Sequence, residues 1–250
     1  MPCSNCSAAK TVRSHLIGRL FAKEVTPGQA HAIVMLPGKE SFIPSQRGAF
    51  DDNILCAKCD NFLGQFESYA GEVLQTVRRA TAQSEFGVQF VDEIDGDRFL
   101  RFCAGLVWKF SVAKFGRISL GPYQSALQRL AFIADSAIPS SIDAAIIRLR
   151  VREGDTEVFG YRMPLYDRKK QINFCRFMVG GCVMFVKLDK RPISEPNFSK
   201  CSVRGGRGVY VGVAPAQLFD EYREFAKTVE RYPNLSQFLD KQADRAKRGR

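Results

Sequence analysis

Apolar residues between about Cys59 and Gln83, namely Leu63, Phe66, Ala70, Val73 and Val77, recur at intervals of three and four. That spacing predicts an amphipathic helix. A second helix is predicted from Asp97 to Phe115, where Phe99, Phe102, Cys103, Leu106, Phe110 and Ala113 share a face flanked by Arg98, Arg101, Lys109 and Lys114. A third runs from about Tyr123 to Ala134. After the Ile138-Pro139-Ser140-Ser141 break the period falls to two, which predicts strands at Ile146–Arg152 and Glu157–Met163, joined as a hairpin across a Gly154-Asp155 turn. Further strands are predicted at Ile172–Val179, Cys182–Leu188 and Val209–Val213. Pro215 then opens a last helix with Leu218, Phe219, Tyr222, Phe225, Ala226 and Val229 on its face. Residues 1–59 are rich in Pro, Gly and polar side chains, with one expected strand at Ala30–Leu36 closed by Pro37-Gly38, and such a stretch builds no core of its own.

The expected fold class is therefore α+β, a mixed helical and antiparallel-sheet body preceded by a small module. At 250 residues the length fits one large domain or a small module joined to a larger one. The cysteines favour the second. Cys3-x2-Cys6 and Cys56-x2-Cys59 supply two pairs of thiolates, and each short loop lets two sulfurs reach one tetrahedral zinc ion. The second pair falls where the first long helix starts, and unpaired amides at a helix N-terminus favour thiolates. Knuckle, hairpin and helix in that order form the layout of a treble-clef zinc finger. The other four cysteines, Cys103, Cys175, Cys182 and Cys201, lie on apolar faces and are expected to pack as buried thiols.

The net charge of +11 points to a polyanionic partner. It is not concentrated in the finger, where residues 1–60 hold seven Lys or Arg against five Asp or Glu. The segment 241–250 has five basic residues against one acid, including Lys247 and Arg248. Arg204-Gly205-Gly206-Arg207-Gly208 combines glycines that let a backbone approach phosphate with two guanidiniums that hold it, or forms a plain turn between strands. Asp167-Arg168-Lys169-Lys170 is expected at the tip of a strand connection, Glu67 and Glu72 as solvated acids on the first helix, and His31 as an ordinary strand residue. The longest apolar run, Phe177 to Val186, is broken by Gly180-Gly181 and is far shorter than the roughly 20 residues that span a bilayer. Residues Met1–Cys6 contain no apolar stretch, so a reducing cytoplasm is the expectation, with no membrane partner.

Residues 1 to about 67 resemble the HNH endonucleases, the zinc-braced branch of the His-Me finger nucleases (ββα-metal fold). The resemblance is carried by Cys3-Ser-Asn-Cys6, Arg13-Ser14-His15-Leu16-Ile17 and Asp51-Asp52-Asn53-Ile54-Leu55-Cys56-Ala57-Lys58-Cys59-Asp60-Asn61. It implies an HNH-like module over 1–67, an α+β body over 68–240 that selects substrate, dimerises or docks on another subunit, and a basic tail over 241–250. It implies structural zinc on Cys3, Cys6, Cys56 and Cys59. His15 would activate water, Asp51 or the nearby Asn53 would orient it, and Asp51 and Asp60 would hold a catalytic Mg2+ or Mn2+. The family's Asp before the histidine is Ser14 here, its Asn is Asp51, and its last His is Asp60. A metal-dependent nuclease acting on DNA, in bacterial or phage defence and with a partner subunit or as a homo-oligomer, is one implied function. A catalytically depleted finger that binds nucleic acid or a partner protein is the alternative, and an activity seated in the body is a third.

Overall fold

The computed structural model describes residues 1–18, 20–21, 32–35, 42–45, 49–114, 118–151, 161–231 and 237. Strand β1 (Val12–His15) pairs antiparallel with β4 (Phe50–Leu55), setting Ser14 opposite Asp51 and His15 opposite Phe50, while β2 (Ala32–Met35) and β3 (Phe42–Ser45) form a separate antiparallel ribbon. Helix α1 (Ala57–Ala80) follows β4 after one residue, then β5 (Gly87–Asp95), α2 (Gly96–Val112) and α3 (Gln124–Phe132). The remainder contains β6 (Ile142–Arg150), β7 (Arg162–Lys169), β8 (Ile172–Val179), β9 (Cys182–Leu188), α4 (Pro196–Lys200), β10 (Arg207–Pro215) and α5 (Asp220–Arg231).

Six of the strands form one sheet in the order β5-β10-β6-β9-β8-β7, antiparallel throughout except where β10 runs parallel to β6. The meander β7-β8-β9 turns on Lys170-Gln171 and Gly180-Gly181, and all four residues have positive φ. Two-residue turns of this hand match the right-handed twist of the flanking strands. One face of the sheet presents Ile146, Cys175, Phe177, Met184, Val186 and Val211 to α1, α2 and α3 in the main core; the other buries Leu149, Phe174, Met178 and Phe185 beside Phe198 and Phe219. Burial on both faces makes β8 and β9 near-continuous apolar runs.

The α+β expectation and the strands at Ile172–Val179 and Cys182–Leu188 agree with this architecture. The expected hairpin falls largely outside the described residues, which omit 152–160 and with them the Gly154-Asp155 turn; among those described, β6 lies between β10 and β9, and β7 pairs with β8 at the edge of the sheet. Local alternation fits any partner strand, and here the partners are distant in sequence. Asp167, Arg168 and Lys169 belong to β7 rather than to a loop, and only Lys170 sits in the turn. Pro215 ends β10, the last helix starts at Asp220, and Leu218 is exposed.

Helix α1 passes through residue 67 without a break, and Cys3, Leu16, Phe21, Cys59 and Leu63 share one buried cluster with Phe102 and Phe177. The N-terminal residues are therefore packed directly on the core of the rest of the chain. Arg101 of α2 ties the body's helices together by donating to the carbonyls of Leu130, Ile133 and Ser136 at the end of α3, where backbone acceptors lack helical partners. Among the described residues, no helix is long and apolar enough to cross a membrane.

Candidate metal centre

The first cysteine pair is held by backbone hydrogen bonds. Cys3 N donates to Ala8 O, Ser7 N to Cys3 O, and Ser4 N to Ile54 O, which fastens the Cys3–Cys6 turn to β4. Cys56 occupies the N-cap of α1 and makes no side-chain cap bond, and Cys59 lies in the first turn. The Sγ atoms of Cys3, Cys6, Cys56 and Cys59 all lie within 4.8 Å of one another. Cys6 Sγ and Cys56 Sγ are 3.6 Å apart, matching the separation of about 3.8 Å that follows from four Zn–S bonds of roughly 2.3 Å in a tetrahedron. These four cysteines can coordinate a metal such as zinc.

The surroundings favour a thiolate at Cys3 and, without a cation, oppose one at Cys59. Burial pushes the Cys3 thiol up, but backbone amides of Cys6, Cys56 and Asn5 outweigh it and bring the pKa down to about 6. Burial, with the three neighbouring thiols adding to it, pushes Cys59 up to about 12 against a hydrogen bond from Asn5. A coordinated thiol is deprotonated outright, so a central cation relieves that crowding. Asn5 Nδ2 donates to Cys59 Sγ at 3.2 Å, and Asn5 Oδ1 accepts from Gln128 Nε2 of α3 at 3.0 Å. The body thereby orients an outer partner of a metal ligand. Asn5→Ala is expected to weaken zinc binding about 10–100-fold in chelator competition, the usual loss for such a partner. An unchanged affinity would contradict that role.

Beside the cluster, a cleft of about 420 Å³ opens between the end of β1 and the outer face of α1. It is lined by His15 from the strand and by Asp60, Asn61, Gly64 and Glu67 from the helix, among others. Ser14, fully buried, donates to Asp60 Oδ1 at 2.6 Å and ties the two elements together. No protein-family model, curated protein or solved structure matches the chain.

His15 and Asp60 are brought together; Asp51 and Asn53 are not among the lining residues. Asp51 is buried, with Oδ1 accepting the Asn53 amide and Oδ2 the Lys114 amide, both at 2.8 Å. It binds β4 to the segment after α2. Among the described residues, the cysteines form the only group of three or more His, Cys, Asp or Glu ligand atoms within 4.8 Å.

Glu67 is not a solvated acid. Its Oε1 accepts from Lys109 Nζ at 2.5 Å, and the same ammonium donates to the His15 carbonyl at 2.6 Å. Lys109 is only 1% exposed, so a body helix projects a buried charge to the back of the cleft. Lys109 is expected on a flank of its helix, yet it stands three residues after Leu106 and seven after Phe102, in register with buried positions, and that spacing is the signal of its burial.

The glycine-rich loop is internally engaged. Arg204 Nη2 donates to Ile138 O at 2.9 Å, and Asp97 Oδ1 accepts the Gly205 amide at 2.8 Å. Arg207 is exposed. Lys247, Arg248 and His31 lie outside the described residues. Cys103, Cys175, Cys182 and Cys201 are buried as expected, and burial pushes Cys175 up to about 12 and Cys201 up to about 11.

Proposed function

We propose that the N-terminal unit is a zinc-braced, HNH-like treble-clef finger that hydrolyses phosphodiesters of nucleic acid, DNA being the expected substrate. The supporting observation is that His15 and Asp60, reached from a strand end and a helix start, line one open cleft beside the cysteine cluster. Imidazole titrates near neutrality, which suits His15 to accept a proton from the water that attacks phosphorus. Asp60 supplies a hard oxygen donor for Mg2+ or Mn2+, and that cation, when bound, contributes Lewis-acid stabilisation of the charge on the phosphate. Ser14 holds the Asp60 carboxylate in place, and Asp51 acts as a brace rather than a ligand. Zinc keeps knuckle, strand pair and helix in register. The basic excess beyond residue 60 provides the grip on phosphates.

The test is incubation of plasmid with zinc-loaded protein and Mg2+ or Mn2+. Cleavage by the wild type and its loss in Asp60→Asn, with zinc content unchanged, is the expected result. A second reading, a depleted finger that only binds nucleic acid or a partner protein, is favoured by the engagement of both Asp51 oxygens and one Asp60 oxygen within the fold. Binding that falls steeply with salt, without cleavage under any divalent cation, would select it for nucleic acid.

A further inference from the structure

Helix α1 carries Gly64 in its second turn, where the helix itself has no use for a glycine. Among the described residues, a Cβ built there meets no atom within 4 Å. Elsewhere in the helices the reason for a glycine is visible: a Cβ at Gly71 would lie 2.2 Å from Leu20 Cδ2, and one at Gly105 3.1 Å from Leu63 Cδ2. Glycine is the least favourable residue after proline in a helix interior, because it gives up the most backbone freedom and exposes the peptide groups. Gly64 thus weakens α1 with no packing contact among the described residues in return. It lies on the wall of the cleft, one turn after Asp60 and one turn before Ser68, and His15 lines the same cleft from the strand.

We infer that Gly64 is the point where the sugar-phosphate backbone of the substrate crosses α1, its missing side chain letting the chain descend to the level of His15 and Asp60. The inference rests on the phosphodiesterase reading and adds a specificity-determining position to it. The flanking groups suit such a ligand: Asn61 and Ser68 offer donors on either side, and Lys109 partly offsets the Glu67 carboxylate behind. Any side chain at position 64 projects into the path of the strand.

The experiment uses full-length, zinc-loaded protein and fluorescein-labelled duplex DNA, with anisotropy read in Ca2+ and cleavage read in Mg2+. Gly64→Ala removes a helix penalty and is expected to raise Tm by about 1–4 °C while weakening DNA binding several-fold. Gly64→Leu, with the same zinc content, is expected to weaken it at least tenfold and to abolish cutting. A variant that is stabilised yet weakened for DNA separates ligand contact from structural damage. If both variants melt at or above the wild-type temperature and bind and cut as the wild type does, the inference is overturned and the nuclease reading stands. If the wild type itself neither binds nor cuts, both fall together. Should Gly64→Leu fail to fold, Gly64→Ala alone decides.

Discussion

Removing the metal, by chelation or by Cys59→Ser, is expected to unfold the finger and lower the melting temperature of the whole chain by more than 10 °C. Three of the four cysteines are themselves buried core residues, and their cluster is continuous with the body through Leu63, Phe102 and Phe177. Without a cation, the knuckle is left with a few backbone bonds to Ala8 and Ile54 and with four mutually crowded thiols. Structural zinc contributes an apparent binding free energy of about 10–16 kcal/mol in small finger peptides, and binding that requires the folded finger stabilises it by the same linkage. Calorimetry with and without a high-affinity chelator, alongside metal analysis, reads both quantities. One zinc per chain and a large, zinc-reversible shift are expected. A chelated protein that melts like the loaded one would show that the four thiols pack without metal.

The second large effect is expected at the Lys109–Glu67 pair. Lys109 is 2% exposed at its side chain and Glu67 20%, so neither charge is well solvated. Taking away one member of such a pair strands the other and costs about 3–5 kcal/mol, whereas replacing both with neutral groups of similar size is far less damaging. Glu67→Gln should be the more harmful single change, because the charge it strands is the deeper one. Lys109→Met should cost less, since Glu67 keeps some contact with water. The double variant should recover a substantial part of the loss in urea unfolding. Additivity of the two single changes to within about 0.5 kcal/mol would mean that the charges are not coupled. Because Lys109 also holds the His15 carbonyl, its loss is expected to loosen the strand end that carries the proposed base.

The two Cys-x2-Cys pairs were legible because a tetrahedral metal leaves few other uses for that spacing, and the sulfurs do converge. Helix α1 was legible because it buries one stripe, α2 because its apolar positions recur at helical spacing although nearly all of its faces are covered, and β8 and β9 because both of their faces are covered. Strands β1, β4 and β5 carried no such signal. Strand β4 reads Phe50-Asp51-Asp52-Asn53-Ile54-Leu55, and β5 buries only Val91 and Ile94, three residues apart. These strands are defined by partners far away in sequence, β1 for one and β10 for the other. Side-chain roles were less legible than folds for the same reason. An aspartate serves equally to ligate a cation or to accept two amides, and only the arrival of Lys114 beside Asp51 distinguishes these uses. Nor does a lysine on a helix reveal that its ammonium reaches a strand 94 residues earlier.

The central claim is that a zinc-braced finger presents His15 as the base of a phosphodiesterase, and a zinc-matched comparison of His15→Ala with the wild type tests it most directly. Both proteins are loaded to the same metal content, shown to melt alike, and assayed on plasmid in Mg2+ or Mn2+ across neutral pH. The wild type is expected to cut and His15→Ala to lose at least about a hundredfold in rate, the lower range for a general base. Cleavage that survives the substitution at equal zinc content would contradict it.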